Sequence, residues 1–178
     1  MDELRLVRPT SKYAEQVMAF REELLAAKDC DPFAGCSGLE DVCSFDEWAD
    51  FQGRLKAKYA EGYVPSEVFL AIRQKDDKLI GIIDYRHPLS EFLLKFAGNI
   101  GYTVRPCERG KGYAYEMLHL LLPICKEYGE SRILVVCDRK NEASRRTILR
   151  NGGVMENEAP DTAGVCYSGI IQRYWIEL

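Results

Sequence analysis

The run IGYTVRPCERGKGYAYEML, Ile100 to Leu118, packs a strand, a turn and the start of a helix into one short stretch. Asn99 to Val104 is rich in β-branched and aromatic residues and reads as a strand. Arg105-Pro106 then stops the ladder, because proline has no N–H to donate. Arg109-Gly110-Lys111-Gly112-Tyr113-Ala114 follows as a tight turn, and an amphipathic helix begins at once. A helix start presents unpaired N–H groups and the positive end of the macrodipole. The glycines let the backbone approach a ligand closely, and Arg109 and Lys111 add positive charge. Together these features predict a site for a phosphate or pyrophosphate.

Two familiar phosphate loops fail on spacing. A Rossmann turn would need its third glycine where Tyr115 stands, and a Walker loop needs a Gly-Lys-Ser/Thr that is absent. A generic glycine turn capping an ordinary helix is the plainer alternative. What remains is Arg-x-x-Gly-x-Ala, Arg109 to Ala114, directly after a strand ending Val-Arg-Pro. In this the chain resembles the GNAT superfamily of acetyl-CoA-dependent N-acetyltransferases, whose Arg/Gln-x-x-Gly-x-Gly/Ala turn holds the coenzyme A pyrophosphate. The resemblance implies acetyl-CoA as cosubstrate.

Composition bounds the rest. A chain of 178 residues is expected to be one domain, 1–178, with room for a sizeable core. Its 47% hydrophobic and 29% charged residues are those of a globular protein. No apolar run is long enough to cross a bilayer, and Met-Asp-Glu-Leu-Arg is not the start of a secretory signal. A net charge of −4 argues against a nucleic-acid partner. Seven cysteines without paired metal-ligand spacing suggest reduced thiols in a cytoplasm, and neither Cys30, Cys36 and Cys43 nor the two histidines, His87 and His119, make a zinc site. No metal is expected.

Taken in order, Leu4 to Pro9 alternates like a strand, and Thr10 or Ser11 can cap a helix carrying Tyr13, Val17, Phe20 and Leu24 on one face, ending before Asp31-Pro32. Asp31 to Cys43 reads as a loop. Ser44-Phe45-Asp46-Glu47 is a capping box for a second helix with Trp48, Phe51, Leu55 and Tyr59 on one face. Val68 to Gln74 and Leu79 to Arg86 form a hairpin, and Pro88 to Gly98 is a connection with a partly buried Phe92-Leu93-Leu94 anchor. After the central strand, turn and helix, in which Pro123 should kink the last turn, Arg132 to Cys137 has the near-continuous apolar pattern of a buried, often parallel, strand. Asn141 opens a short helix that Asn151-Gly152-Gly153 ends; Val154 to Glu158 and Ile170 to Ile176 are the last strands, joined through a flexible turn at Pro160 to Gly164. This order is similar to that of GNAT proteins over nearly the whole chain. The expected fold class is therefore α/β, a GNAT-like acyl-CoA N-acyltransferase fold with a mixed, mostly antiparallel central sheet and helices on both faces.

The resemblance also assigns residues. Main-chain groups of Tyr102, Thr103 and Val104 would hold the pantetheine arm and polarise the thioester carbonyl, although Tyr102 serves equally well as a packing residue. Arg109, Gly110, Lys111, Gly112, Tyr113 and Ala114 carry over as the phosphate cradle. Asn141 and Ser144 match the helix that lies along the coenzyme, while Asn141 is also a natural N-cap. Many members of the family carry a tyrosine seven residues after that Asn as general acid; here Ile148 stands in its place and cannot donate a proton. Tyr174, Tyr113 or a water are the alternatives.

For the general base, Asp84, His87 and Glu91 lie near the end of the third strand, where the family's acceptor cleft begins. Histidine is the residue type suited to a base near neutral pH, which singles out His87, and Asp84 has a structural alternative in pairing with Arg86 or Arg173. Cys107 invites an acyl-cysteine intermediate, but no histidine is placed by sequence to activate it, and a solvent-facing thiol is the simpler reading. Asp29, Asp31, Glu40, Asp41, Asp46, Glu47 and Asp50, against Lys28, suggest an acidic rim that would attract a cationic amine; Asp46 and Glu47 equally favour a helix dipole. The expected activity is acetyl transfer from acetyl-CoA to a primary amine of a small molecule or peptide, directly within a ternary complex. The rival from another class is a non-catalytic acyl-CoA-binding sensor or interaction module. Members of the family often form homodimers.

Overall fold

The computed structural model describes residues 3–27, 33–57 and 64–178. The expected Asp31-Pro32 helix stop, Tyr59, Cys30 and the charges of Lys28, Asp29 and Asp31 lie outside the described residues.

The elements are β1 (Leu4–Val7), α1 (Ala14–Ala26), α2 (Phe45–Ala57), β2 (Ser66–Arg73), β3 (Lys78–Arg86), β4 (Ile100–Val104), α3 (Tyr113–Glu127), β5 (Arg132–Asp138), α4 (Glu142–Arg150), β6 (Val154–Pro160) and β7 (Ile170–Glu177). They form two antiparallel sheets, ordered β1-β2-β3-β4 and β5-β7-β6. The sheets touch at a seam where Gly98 bridges Val135. There the Asn99 N–H donates to the Leu134 carbonyl at 2.7 Å, and the Leu134 N–H is taken by Oδ1 of Asn99 at 2.9 Å. A buried side-chain amide thus does the work of a strand backbone for one step, and among the described residues no pairing joins β4 to β5 beyond it.

Period-two alternation divides the core into two layers. On one face Val17, Phe20 and Leu24 of α1 and Trp48 of α2 pack on Leu70, Ile72 and Ile82. On the other, Met117, Leu118, Leu121 and Cys125 of α3 and Ile148 of α4 pack on Ile83, Tyr85, Ile133, Val135 and Tyr174. Trp48 is completely buried, and its indole N–H donates to the carbonyls of Cys36 (3.0 Å) and Ser37 (3.2 Å), so one side chain both fills the core and pins the loop before α2.

Several local expectations are corrected. Thr10 makes no side-chain cap; a short 3-10 turn, Ser11–Tyr13, leads into α1 instead. The apolar run of β5 is buried but pairs antiparallel with β7, the apolar pattern reflecting burial between α3 and its neighbours rather than a parallel ladder. In the Phe92-Leu93-Leu94 anchor Leu93 is partly buried while Phe92 and Leu94 are about half exposed; Leu93–Ala97 is a π-helical turn that the Arg173 guanidinium ties to β7 through the carbonyls of Leu94 and Lys95. The turn after β6 is ordered by Asp161, whose carboxylate accepts the N–H groups of Ala163 and Cys166. The Ser44 capping box forms, Glu47 reaching the N–H of Cys43 at 2.8 Å.

Candidate active site

The seam decides what β4 can offer. In the ladder with β3, the Arg105 N–H donates to Ile80 and the Arg86 N–H donates to Asn99. Main-chain groups alternate sides along an antiparallel strand, so those of Tyr102 and Val104 point away from β3, toward the gap left by β5. Thr103 points back into the ladder. An acyl-pantetheine arm carries amides that such an edge can pair.

The turn after β4 fits an anion. Gly110 (φ +75°) and Gly112 (φ +88°) adopt left-handed conformations that a side chain would strain, and a Cβ at Gly110 would meet only open space. Gly112 is the N-cap of α3 and makes no side-chain cap, so the start of the helix presents its positive dipole end to the turn. Arg109 is exposed and folds back, its Nε donating to the Val104 carbonyl at 3.0 Å. Lys111 points inward to Glu108 at 2.8 Å. Glu108 is buried and also binds Lys78 (2.8 Å) and Arg73 (3.1 Å), while Arg73 holds Asp76 and donates to the Tyr113 hydroxyl at 3.2 Å. The contacts with Lys111 and Lys78 hold the Glu108 carboxyl down at about 2. Around this loop Arg73, Lys78 and Lys111 gather on the carboxylates of Asp76 and Glu108, with Arg109 beside them, so cationic side chains surround the turn.

On α4, Asn141 is the N-cap: its Oδ1 accepts the Ser144 N–H at 3.0 Å. The Ser144 hydroxyl lies 2.8 Å from the Tyr102 hydroxyl, and burial pushes the Tyr102 phenol well above its usual range, so it keeps its proton at neutral pH. Ile148 is fully buried in the α3–α4 core. Tyr113 and Tyr174 are buried too; the Tyr113 hydroxyl accepts from Arg73 and the Tyr174 hydroxyl donates to Gln172 at 2.8 Å. Burial also raises the Tyr174 phenol.

On the opposite face of the sheet an open cleft of about 490 Å³ lies between the loop before α2 and β3. Its floor is Asp84, only 3% exposed, whose carboxylate serves five donor groups. These are Ser37 Oγ (2.9 Å), Ser66 Oγ (3.1 Å), the Gly101 N–H (2.9 Å), and Nε and Nη2 of Arg86 (each 3.0 Å at closest). The pairing is thus with Arg86; Arg173 is engaged by Glu156 and by the turn before β4. Gly35 lies so close to β4 that a Cβ there would sit 2.2 Å from the Gly101 carbonyl oxygen, and Gly35, Ser37 and Gly38 all have positive φ. The cleft therefore abuts the β4 peptide next to Tyr102.

His87 does not share this cleft. It continues the Tyr85 side of β3, its ring stacked on Tyr85 (4.5 Å between centroids) and edge-on to Tyr128 (4.7 Å). Glu91 is exposed. Of the described acidic residues, Glu40 lines the cleft, whereas Glu47 is committed to the helix cap. Ser37, Ser66 and Arg86 belong to the site without a motif of their own; the glycine spacing of Gly35 and Gly38 was the available signal. Cys107 is exposed, and Cys137 is buried with its thiol pushed up to about 12.

Comparison with known proteins places this geometry. Residues 4–154 match the acetyltransferase (GNAT) domain family. No relative was found among curated proteins. Solved structures sharing the fold include a ribosomal L7/L12 α-N-protein acetyltransferase in complex with coenzyme A (TM-score 0.70, 19% identity, covering 100% of this chain and 96% of that one). The microcin C7 self-immunity acetyltransferase, in complex with acetyl-CoA and AMP, aligns with a TM-score of 0.67 at 19% identity over 100% and 94% of the two chains. The ribosomal-protein-S5-alanine acetyltransferase from Vibrio fischeri gives a TM-score of 0.67 at 16% identity over 98% and 91%. The family match runs over most of the chain: the protein belongs to the GNAT acetyltransferases, which take acetyl-CoA as acyl donor.

Proposed function

We propose that the protein transfers the acetyl group of acetyl-CoA directly to a primary amine, on a small molecule or a peptide, that enters the cleft above Asp84. The observation that carries this reading is the hydrogen bond from the Gly101 N–H to Asp84, which sets the cleft floor against β4. The coenzyme supplies a thioester whose acetyl carbon is the electrophile. Tyr102 and Val104 would hold its arm by main-chain contacts, Thr103 being turned back to β3, with Arg109 to Ala114 on its diphosphate and Asn141 and Ser144 on its flank. Directly opposite, the Ser37 and Ser66 hydroxyls, 3.1 Å apart and both on Oδ2 of Asp84, can take a proton from the amine while passing their own to the carboxylate. The Tyr102–Ser144 hydroxyl pair supplies a proton to the departing thiolate in place of the tyrosine that Ile148 replaces. Transfer needs no acyl-cysteine: His87 is held between tyrosines and His119 by Tyr115, and neither is paired with Cys107. The cleft is open and carries Glu40 at its edge, which favours a cationic acceptor of either size.

Thiol release from acetyl-CoA in the presence of a panel of polyamines, aminoglycosides and N-terminal peptides tests this. Amine-dependent turnover that falls about a hundredfold in Asp84→Asn supports the reading. Turnover unaffected by that change removes Asp84 from the chemistry, and acetyl-CoA binding without turnover on any amine would leave a sensor.

A further inference from the structure

The cleft above Asp84 has walls that proton transfer does not use. Phe33, Phe51, Val64 and Leu93 line it, and each is partly exposed. They come from the loop before α2, from α2 itself, from the approach to β2 and from the π-helical turn after β3. Phe33 also packs on the α1–α2 core, whereas Phe51 rests on the loop. Its ring lies against Gly38, where an added Cβ would come within 2.5 Å of it, and Gly38 holds a φ of +79°. Only glycine lets the ring sit there. Gln52, the next residue of α2, donates from Nε2 to the Ser37 carbonyl at 2.6 Å, and the same carbonyl accepts the Trp48 indole N–H. The aromatic wall and the Ser37 hydroxyl on Asp84 are thus held together before any ligand arrives. Charge is scarce by comparison. Among the described residues that line the cleft, Arg86 is the cation and Asp84 and Glu40 are the carboxylates, and Asp84 is already paired with Arg86.

We infer that the acceptor is a monoamine whose single ammonium is carried on an aromatic or branched aliphatic body. The amine lies at the hydroxyls of Ser37 and Ser66, and the body lies against Phe33 and Phe51. The inference rests on the transfer reading above and narrows its substrate class. A polyamine or an aminoglycoside would bring several ammonium groups against these walls, where each loses hydration without a carboxylate to replace it. The excess of one carboxylate in the lining matches one ammonium. An apolar body gains instead from the carbon surface it covers, and a rigid wall charges little ordering entropy for the contact. The cavity of about 490 Å³ has room for a ring and a short chain.

Initial rates of thiol release from acetyl-CoA with 2-phenylethylamine, ethylamine and spermidine test the assignment. In the wild type kcat/KM for 2-phenylethylamine is expected to exceed that for either of the others about a hundredfold. Phe51→Ala should cut the ratio over ethylamine about tenfold, chiefly through KM, and Phe51→Leu, which keeps an apolar group, should fall between. Calorimetric affinity for acetyl-CoA shows whether each variant is folded; if Phe51→Ala is not, the wild-type ratio and Phe51→Leu decide. Spermidine used as well as 2-phenylethylamine, equal use of the two monoamines, or a ratio that both variants leave unmoved overturns the inference while the transfer reading stands. Turnover on peptides but on none of these three amines overturns it likewise. No turnover on any amine would sink the transfer reading itself.

Discussion

The hydroxyls of Tyr102 and Ser144 lie 2.8 Å apart and tie β4 to α4 across the gap where the two sheets part. Tyr102 packs against the α3–α4 core. Tyr102→Phe and Ser144→Ala should each lower kcat about a hundredfold if the pair protonates the leaving thiolate. The cost in stability should be only about 1 kcal/mol, the worth of one hydrogen bond. Steady-state thiol release alongside urea denaturation separates the two effects.

Glu108 makes the cradle sensitive to acid. Its carboxyl is held at about 2 by Lys111 and Lys78, below the ordinary 4.5 of a glutamate. A depressed folded-state value stabilises the native protein above the unfolded pKa, and that stability is lost as pH falls from 4.5 toward 2. Glu108→Gln should reduce the dependence in this window and destabilise by about 3 kcal/mol, because Arg73, Lys78 and Lys111 lose their shared carboxylate and Arg73 is left with Asp76 alone. Urea midpoints measured from pH 6 down to about 3 check both statements.

Gly112→Val should weaken acetyl-CoA binding about a hundredfold or more. The left-handed φ of +88° strains any side chain there, and the branched Cβ crowds the N–H groups that a diphosphate would take. Calorimetry reads the loss; unchanged affinity would mean the turn only starts a helix.

Gly35→Ala should harm the cleft rather than the cradle. The new methyl would press on the Gly101 carbonyl, pushing the loop that carries Ser37 off Asp84. Amine-dependent kcat/KM should fall about tenfold or more, with acetyl-CoA affinity changed little and stability lowered by about 2 kcal/mol.

Thiol chemistry should divide the cysteines by burial. Cys43 and Cys107 are exposed and should alkylate at neutral pH, whereas Cys125 and Cys137 are buried, with thiols pushed up to about 12 by desolvation, and should resist until the protein unfolds. Mass spectrometry of labelled peptides reads this directly.

The order of elements was legible because each carried its own local signal: the alternation of β1, the capping box at Ser44, the proline at 106 and the glycines at 110 and 112. The glycine turn before α3 was legible for the same reason. The cleft was not, since Ser37, Ser66, Asp84 and Gly101 come from four separate elements and meet only through tertiary packing. The direction of a charged side chain was equally hidden: Lys111 sits in the cradle sequence yet turns inward to Glu108. One point could have been read earlier. Asp84 and His87 differ by an odd number of residues on one strand, so period two already placed them on opposite faces.

The Asn99 side chain ends the pairing between the two sheets after a single step, and beyond it, among the described residues, no strand pairs the outer edge of β4. A coenzyme arm laid on that edge would act as the strand the chain itself omits. Ligand and fold would then be thermodynamically one system, the native state gaining about 2.7 kcal/mol when the coenzyme is at a hundred times its dissociation constant. The lifetime of the protein against heat and proteolysis would follow the supply of its own donor.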